Sequence, residues 1–163
     1  MYFDNLNKDL LYKITYGNDI WFRYHELHEE LWNRVINKLK RYEIDEHFYN
    51  LDRIKASCVI NMKGENVITF GDYNSVRMNC NCFACAYAVV LNQTYSYDNY
   101  CTLCPIHWSK MGINECHCCN TDSSFKKLQE LLSIGTLKSE KDRKKAIELA
   151  ETIMNIEWRN TDV

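Results

Sequence analysis

The chain has 163 residues, a formal net charge of -2 and a hydrophobic share of 46%. A chain of this length can bury a core without help from a metal, so we expect a single domain. The near-neutral charge gives no overall attraction to nucleic acid or to an anionic membrane. No stretch approaches the roughly 20 apolar residues of a membrane span, and the N-terminus lacks an apolar run of signal length. These features predict a soluble protein of the cytoplasm.

Two helices are predicted in the N-terminal part. Apolar residues four apart over residues 6–14 favour a short helix that ends at Gly17. Between Asp19 and Tyr42, apolar side chains recur every three or four positions. This period predicts a longer helix with one buried stripe, capped by Asn18 or Asp19. The stripe consists of Ile20, Tyr24, Leu27, Leu31, Val35, Leu39 and Tyr42.

The following segment predicts a change from helix to hairpin. The stretch "DEHFYNLDRI" (45–54) is compatible with another short helix. The apolar positions around it are Ile44, Phe48 and Leu51. In "ASCVINMKGENVITFGDY" (56–73), two short β-branched runs flank "KGEN", which favours a β-hairpin with Gly64 in its turn. Cys58 would then be a packing residue of the first strand.

Two more helices are predicted after residue 120. Asp122 can cap the first, which stops at Gly135. The sequence "SEKD" (139–142) has the capping-box pattern and opens the second. The inward positions are Phe125, Leu128, Leu131 and Leu132 in the first helix, and Ile147, Ala150, Met154 and Trp158 in the second. The basic run "KDRKK" (141–145) is mixed with acids and is predicted to be a solvated face.

The nine cysteines are crowded between residues 58 and 119. Without a secretory signal they are expected to stay reduced, and clustered thiols then favour a metal site over disulfides. Two Cys-x-x-Cys pairs, with fifteen residues between them, are formed by Cys82 with Cys85 and by Cys101 with Cys104. Each tight turn aims two sulfurs at one point, so the two pairs complete a tetrahedral thiolate shell. The spacing predicts a structural metal site with these four ligands.

Zinc is the expected metal. Spacing alone does not separate zinc from iron, but the glycines that follow rubredoxin-like pairs are replaced here by Ala86 and Pro105. A redox dithiol is disfavoured, because there are two pairs and neither has a CGPC-like sequence. Zinc would also contribute directly to the folding of this segment.

The other cysteines leave alternatives open. Cys80 is better explained as an apolar neighbour of the first pair than as a ligand. The run "CHCC" (116–119) offers Cys116 and Cys119 as possible further ligands. They would act either in a second site with nearby histidines, or with Cys116 in place of one thiol of the second pair.

Together these elements predict an α+β fold that is mainly helical, with a small β-hairpin and an inserted zinc-knuckle module. We expect one domain over residues 1–163. Its parts are a helical N-terminal part (1–56), the hairpin and cysteine module (57–120) and the C-terminal helices (121–163). No internal repeat or low-complexity segment divides the chain.

The cysteine pairs belong to an ordered set of motifs. These are "CFACAYA" (82–88), "CTLCPIHW" (101–108), a further cysteine at 116 and a helix of the "KAIELAETI" kind (145–153). This order resembles a family of small uncharacterised zinc-knuckle proteins of tailed bacteriophages, over residues 80–158, with a weaker similarity in "ELWNRV" (30–35). The run "CHCC" departs from the family pattern. The resemblance implies a phage protein acting in the cytoplasm of a bacterium, and it brings no established activity.

Charge argues against nucleic-acid binding by the cysteine module. Between residues 80 and 120, Lys110 is the only basic residue besides histidine, against Asp98 and Glu115. Four thiolates on one Zn²⁺ ion add further negative charge. The module would therefore repel a phosphate backbone.

No enzymatic activity is expected. In "YHELHEELW" (24–32), His25 and His28 are three residues apart, whereas the zincin motif needs its histidines four apart on a helix. These histidines are therefore predicted to be structural. The sequence has no Gly-rich phosphate loop and no nucleophile elbow. Zinc held by four thiolates also keeps no open coordination position for water.

Recognition of a partner is the function that remains. The loop "NQTYSYDNY" (92–100) places Tyr95, Tyr97 and Tyr100 between the cysteine pairs, and tyrosine is enriched at protein interfaces. With the phage context, the expected role is to bind and inhibit or redirect a host protein, such as a component of bacterial immunity. One alternative is a homo-oligomer that sequesters a nucleotide signal between subunits. A nucleic-acid-binding regulator is less favoured.

Overall fold

The computed structural model describes residues 20–60, 83–84, 87, 104–106, 108 and 122–158. Four helices lie in these ranges: α1 (Ile20–Arg41), α2 (Leu51–Ile60), α3 (Ser124–Leu131) and α4 (Glu140–Met154). Helix α1 contacts both α4 and α2, and α3 contacts α4. The described part of the chain is thus mainly helical, as predicted. None of its helices has both the length and the apolar character needed to cross a membrane.

Helix α1 confirms the long helix predicted over residues 19–42 and has a wider buried face than one stripe. Trp32 and Ile36 are buried in addition to the predicted positions Tyr24, Leu27, Leu31, Val35 and Leu39, and Tyr42, just past the helix, is partly buried. Because α1 contacts two other helices, more than one strip of its surface is covered. On the solvent side, Arg34 pairs with Glu30 at 2.9 Å. The shorter helix predicted over residues 6–14 lies outside the described residues.

The segment between α1 and α2 is irregular, so the helix predicted around "DEHFYNLDRI" is wrong at its start. Asp45 and Tyr49 have φ angles of 67° and 73°, in the left-handed region that an α-helix does not use. The backbone N–H groups of Asp45 and Phe48 donate to the carbonyl oxygens of Leu137 and Gly135, at 2.9 and 2.8 Å. The segment is therefore held against the connection between α3 and α4.

The first strand of the predicted hairpin is wrong, because these residues form helix α2. It extends from Leu51 to Ile60, and Cys58 is buried on this helix, not in a strand. The buried residues Leu51, Ile54 and Cys58 follow a helical period. A short apolar run such as this one fits a strand or a buried helix equally well by pattern alone. The rest of the predicted hairpin, over residues 61–73, lies outside the described residues.

The two C-terminal helices form where they were predicted, but one cap and both ends differ. Helix α3 ends at Leu131, four positions before the predicted stop at Gly135, and Trp158 lies past the end of α4. Helix α3 is capped by Ser123 and not by Asp122, because the Ser123 Oγ accepts a hydrogen bond from the Lys126 N–H at 2.9 Å. Helix α4 is capped by Ser139 as predicted, and its Oγ accepts from the Asp142 N–H at 3.2 Å. The predicted inward residues are buried, except that Leu131, Ile147 and Met154 are partly buried against the core.

The basic run at the start of α4 is only in part the solvated face that was predicted. Arg143 donates from Nη1 to the carbonyl oxygen of Leu39 at 2.6 Å, and from Nη2 to the carbonyl oxygen of Tyr42. It therefore satisfies carbonyl groups at the C-terminal end of α1 that the helix itself leaves open. The exposed members of the run are Lys141, Lys144 and Lys145.

One hydrophobic core contains both the helices and the described residues of the cysteine module. The described residues between 83 and 108 are all buried: Phe83, Ala84, Tyr87, Cys104, Pro105, Ile106 and Trp108. They meet the helical part at Trp158, which lies past the end of α4 and forms an isolated antiparallel bridge with Ile106. The ring of Trp158 is 5.2 Å from that of His28 and 6.1 Å from that of Trp21.

Candidate functional site

Of the predicted metal ligands, Cys104 lies within the described residues. It is buried, with 6% of its surface exposed, in a segment without helix. The other predicted ligands, Cys82, Cys85, Cys101, Cys116 and Cys119, lie outside the described residues, as do Tyr95, Tyr97 and Tyr100. Within the ranges that the structure describes, no three His, Cys, Asp or Glu side chains come together as a metal site.

The residues around the first cysteine pair are anchored in the core. Phe83 and Ala84 stand between the two cysteines in sequence, and Tyr87 follows the second by two positions. All three are helical and buried. The ring of Tyr87 is 6.1 Å from the ring of Tyr24 on α1 and 6.1 Å from that of Trp158. This segment thus packs on α1 and on the chain that follows α4.

The residues that follow the second pair are anchored in the same core. Ile106 is two positions after Cys104 and is fully buried at its bridge with Trp158. Trp108 packs its ring 5.9 Å from that of Phe125 on α3. Tyr87 and Ile106 therefore contact the same residue, and each stands two positions after the last cysteine of its pair.

No protein-family model, curated protein or solved structure matches this chain. The resemblance to phage proteins stays a prediction.

The two histidines of α1 are structural in this fold. His28 is fully buried, and its Nε2 lies 2.9 Å from the carbonyl oxygen of Ile153. His25 stacks on Trp21 at 5.2 Å and contacts Glu29 at 3.1 Å. With one ring committed to a backbone carbonyl and the other to an aromatic and a carboxylate, the pair does not form a zincin site.

Lys55 is a fully buried cation that the sequence pattern does not predict. Its Nζ lies 4.6 Å from the centre of the Phe125 ring and 3.9 Å from Oδ1 of Asp52. Phe125 in turn contacts Trp108, so the ammonium lies one ring away from a residue of the cysteine module. From the sequence alone, the three-residue spacing of Asp52 and Lys55 predicts an ordinary ion pair on the surface of a helix. Nothing in the sequence shows that α3 covers the lysine.

Proposed function

We propose that this protein acts by binding a protein partner, through a cysteine module that a structural zinc ion holds together. The observation that carries the proposal is the convergence of Tyr87 and Ile106 on Trp158. Two peptide units reach about 7 Å, so each contact residue lies within that distance of the last cysteine of its pair along the chain. A common anchor for both segments is what a shared metal shell requires.

The proposed ligands are the thiolates of Cys82, Cys85, Cys101 and Cys104. Cys104 is buried beside the anchor, which suits a thiolate shielded from solvent and oxidants. Zinc with four thiolates is closed to water, and we therefore propose a structural role and no enzymatic activity. Cys116 is the proposed substitute if one thiol of the second pair is not a ligand, and Cys116 and Cys119 are the possible ligands of a second site.

The proposed contact surface is the loop that carries Tyr95, Tyr97 and Tyr100. A metal that fixes both ends of this loop lowers the entropy that the loop loses on binding. The proposed partner is a host protein in the cytoplasm of a bacterium, which the chain inhibits or redirects. The phage context rests on the resemblance of the cysteine motifs, and a component of bacterial immunity is the partner that this context favours.

The metal is tested by the native mass of the full chain purified without chelator. One zinc ion per chain is expected, and two would assign "CHCC" to a second site. Cys104→Ser should lose the ion, whereas Cys58→Ser should keep it, because Cys58 is a buried thiol on α2 outside the proposed shell. A metal-free wild-type chain, or equal zinc in both variants, would refute the site.

The partner surface is tested by affinity capture from bacterial lysate. A triple variant, Tyr95→Ala with Tyr97→Ala and Tyr100→Ala, should lose a partner that the wild type captures, with zinc content and melting temperature unchanged. Tyr49→Ala is the matched control, since Tyr49 is a tyrosine with 66% of its surface exposed. Equal capture by the triple variant and the control would show that the loop is not the contact surface.

A further inference from the structure

A pocket of about 420 Å³ lies between α1 and α2. Arg34, Lys38 and Arg41 line it from α1, at spacings that put them on one side of the helix. The amides of Asn33 and Asn37 also line the pocket. Its volume is within the range of roughly 300 to 1,000 Å³ that small-molecule sites occupy. A chain of net charge -2 therefore gathers three cations around one concave site.

Two of the cations that line this pocket are held in place by neighbours. The carboxylate of Glu30, the one acid among the described residues of the lining, accepts hydrogen bonds from Nη2 and Nε of Arg34 at 2.9 and 3.2 Å. Lys38 donates from Nζ to the hydroxyl of Ser57 on α2. That hydroxyl donates in turn to the carbonyl oxygen of Ile54 at 2.8 Å. The ammonium of Lys38 is thus tied to α2 and stays at the junction of the two helices.

The lining adds no further negative charge from α2. Cys58 lines the pocket and is 1% exposed. Burial raises the pKa of its thiol, an effect that the nearby Lys38 ammonium, the hydrogen bond with Ser57 and the Arg34 guanidinium oppose. Because the net direction is upward, the thiol stays protonated at neutral pH.

We propose that this pocket binds a small phosphate-bearing anion. The guanidinium group of Arg41 supplies paired N–H donors that match phosphate oxygens. Arg34, whose Nε and Nη2 donate to Glu30, and Lys38 add positive charge beside it. The side-chain amides of Asn33 and Asn37 supply donors and acceptors for polar groups next to the phosphate. The site lies within one chain, so it needs no second subunit, and none of the described residues between 83 and 108 lines it.

The test is calorimetric titration of the full chain with inorganic pyrophosphate and, separately, with ADP. Adenosine at the same ionic strength reports any contribution of the base and ribose alone. Arg34→Gln, Lys38→Gln and Arg41→Gln should each weaken binding about tenfold or more, the usual effect of losing one hydrogen bond to a charged group. Lys38→Arg should keep most of the affinity. Lys144→Gln, an exposed lysine on α4, should leave it unchanged.

Comparison of pyrophosphate with ADP also shows whether the site takes a free phosphate group or a nucleotide. Binding of both at similar affinity supports a site for phosphate itself, and much tighter binding of ADP supports a nucleotide site. The proposal is overturned if neither binds at millimolar concentration, if adenosine binds as well as ADP, or if the three Gln variants behave like Lys144→Gln. Zinc content should be the same in every variant, so this result is independent of the metal site.

Discussion

The imidazole of His28 donates a hydrogen bond from Nε2 to the carbonyl oxygen of Ile153 at 2.9 Å, and this bond ties α1 to the last turn of α4. The residues are 125 positions apart in sequence. Burial lowers the pKa of His28 to about 4; the bond to Ile153 acts in the opposite direction, and His25 lowers the pKa further. The ring is therefore neutral at neutral pH, with its proton on Nε2.

The stability of the protein should fall as the pH is lowered from about 6.5 to about 4. The unfolded chain takes up a proton at the ordinary histidine pKa of about 6.5, whereas folded His28 takes one up near pH 4. The unfolded state thus binds more protons in this window, and the loss at its lower end is about 3 kcal/mol. Urea unfolding against pH should show a flatter profile for His28→Gln than for wild type. His47→Gln, an exposed control, should keep the wild-type slope; equal slopes in all three would contradict the assignment.

Arg143→Gln should lower the free energy of unfolding by about 1 to 3 kcal/mol, because it removes charge-assisted hydrogen bonds to the end of α1. The side chain of Arg143 is only 14% exposed. Lys144→Gln, its neighbour on the solvent side of α4, should cost less than about 0.5 kcal/mol. Chemical denaturation of both variants measures the difference. A loss of the same size in both variants would mean that positive charge, and not the hydrogen bonds of Arg143, stabilises the C-terminal end of α1.

Gly135→Ala should also destabilise the fold. Gly135 has a φ of 80°, and a Cβ there would lie 3.0 Å from the carbonyl oxygen of Tyr49. The strain and the close contact together should cost about 1 to 3 kcal/mol. Ser133→Ala, an exposed change two positions earlier, is the control. The measurement is the melting temperature of the two variants. An unchanged value for Gly135→Ala would show that the connection between α3 and α4 accommodates the added Cβ without strain.

Lys55→Met tests the buried cation. Methionine keeps the length of the side chain but removes the ammonium that faces the Phe125 ring and the Asp52 carboxylate. The expected loss is about 1 to 3 kcal/mol, since the carboxylate keeps its charge without this neighbour. Lys127→Met, an exposed position on α3, serves as the comparison. If Lys55→Met is more stable than wild type, desolvation of the ammonium outweighs its contacts.

Local pattern explains which parts of the fold were predictable. The apolar period of α1 extends over 22 residues, which is long enough to predict the helix even though Trp32 is buried outside the predicted stripe. The segment before α2 is not the predicted helix, because Asp45 and Phe48 donate hydrogen bonds to carbonyl groups of Leu137 and Gly135, which are far away in sequence. Cys58 was assigned to a strand because a short apolar run has no clear period.

The candidate sites were predictable only where the chemistry is local. Two Cys-x-x-Cys pairs are visible in the sequence, whereas the contact of both neighbouring segments with Trp158 is a tertiary fact. The cations of the α1–α2 pocket could not be predicted as a site, because only the position of α2 makes that face of α1 concave. The burial of Lys55 likewise depends on α3.

The place of Trp158 in the chain has a consequence for synthesis. A ribosome makes the N-terminal part first, so both cysteine pairs are translated before the residue on which their neighbouring segments pack. Until Trp158 and α4 are complete, α1 also lacks the helix that covers it. The nascent chain therefore passes through a stage in which its thiols are made but their anchor is not. At that stage the thiols of the proposed zinc site can be oxidised before their anchor exists.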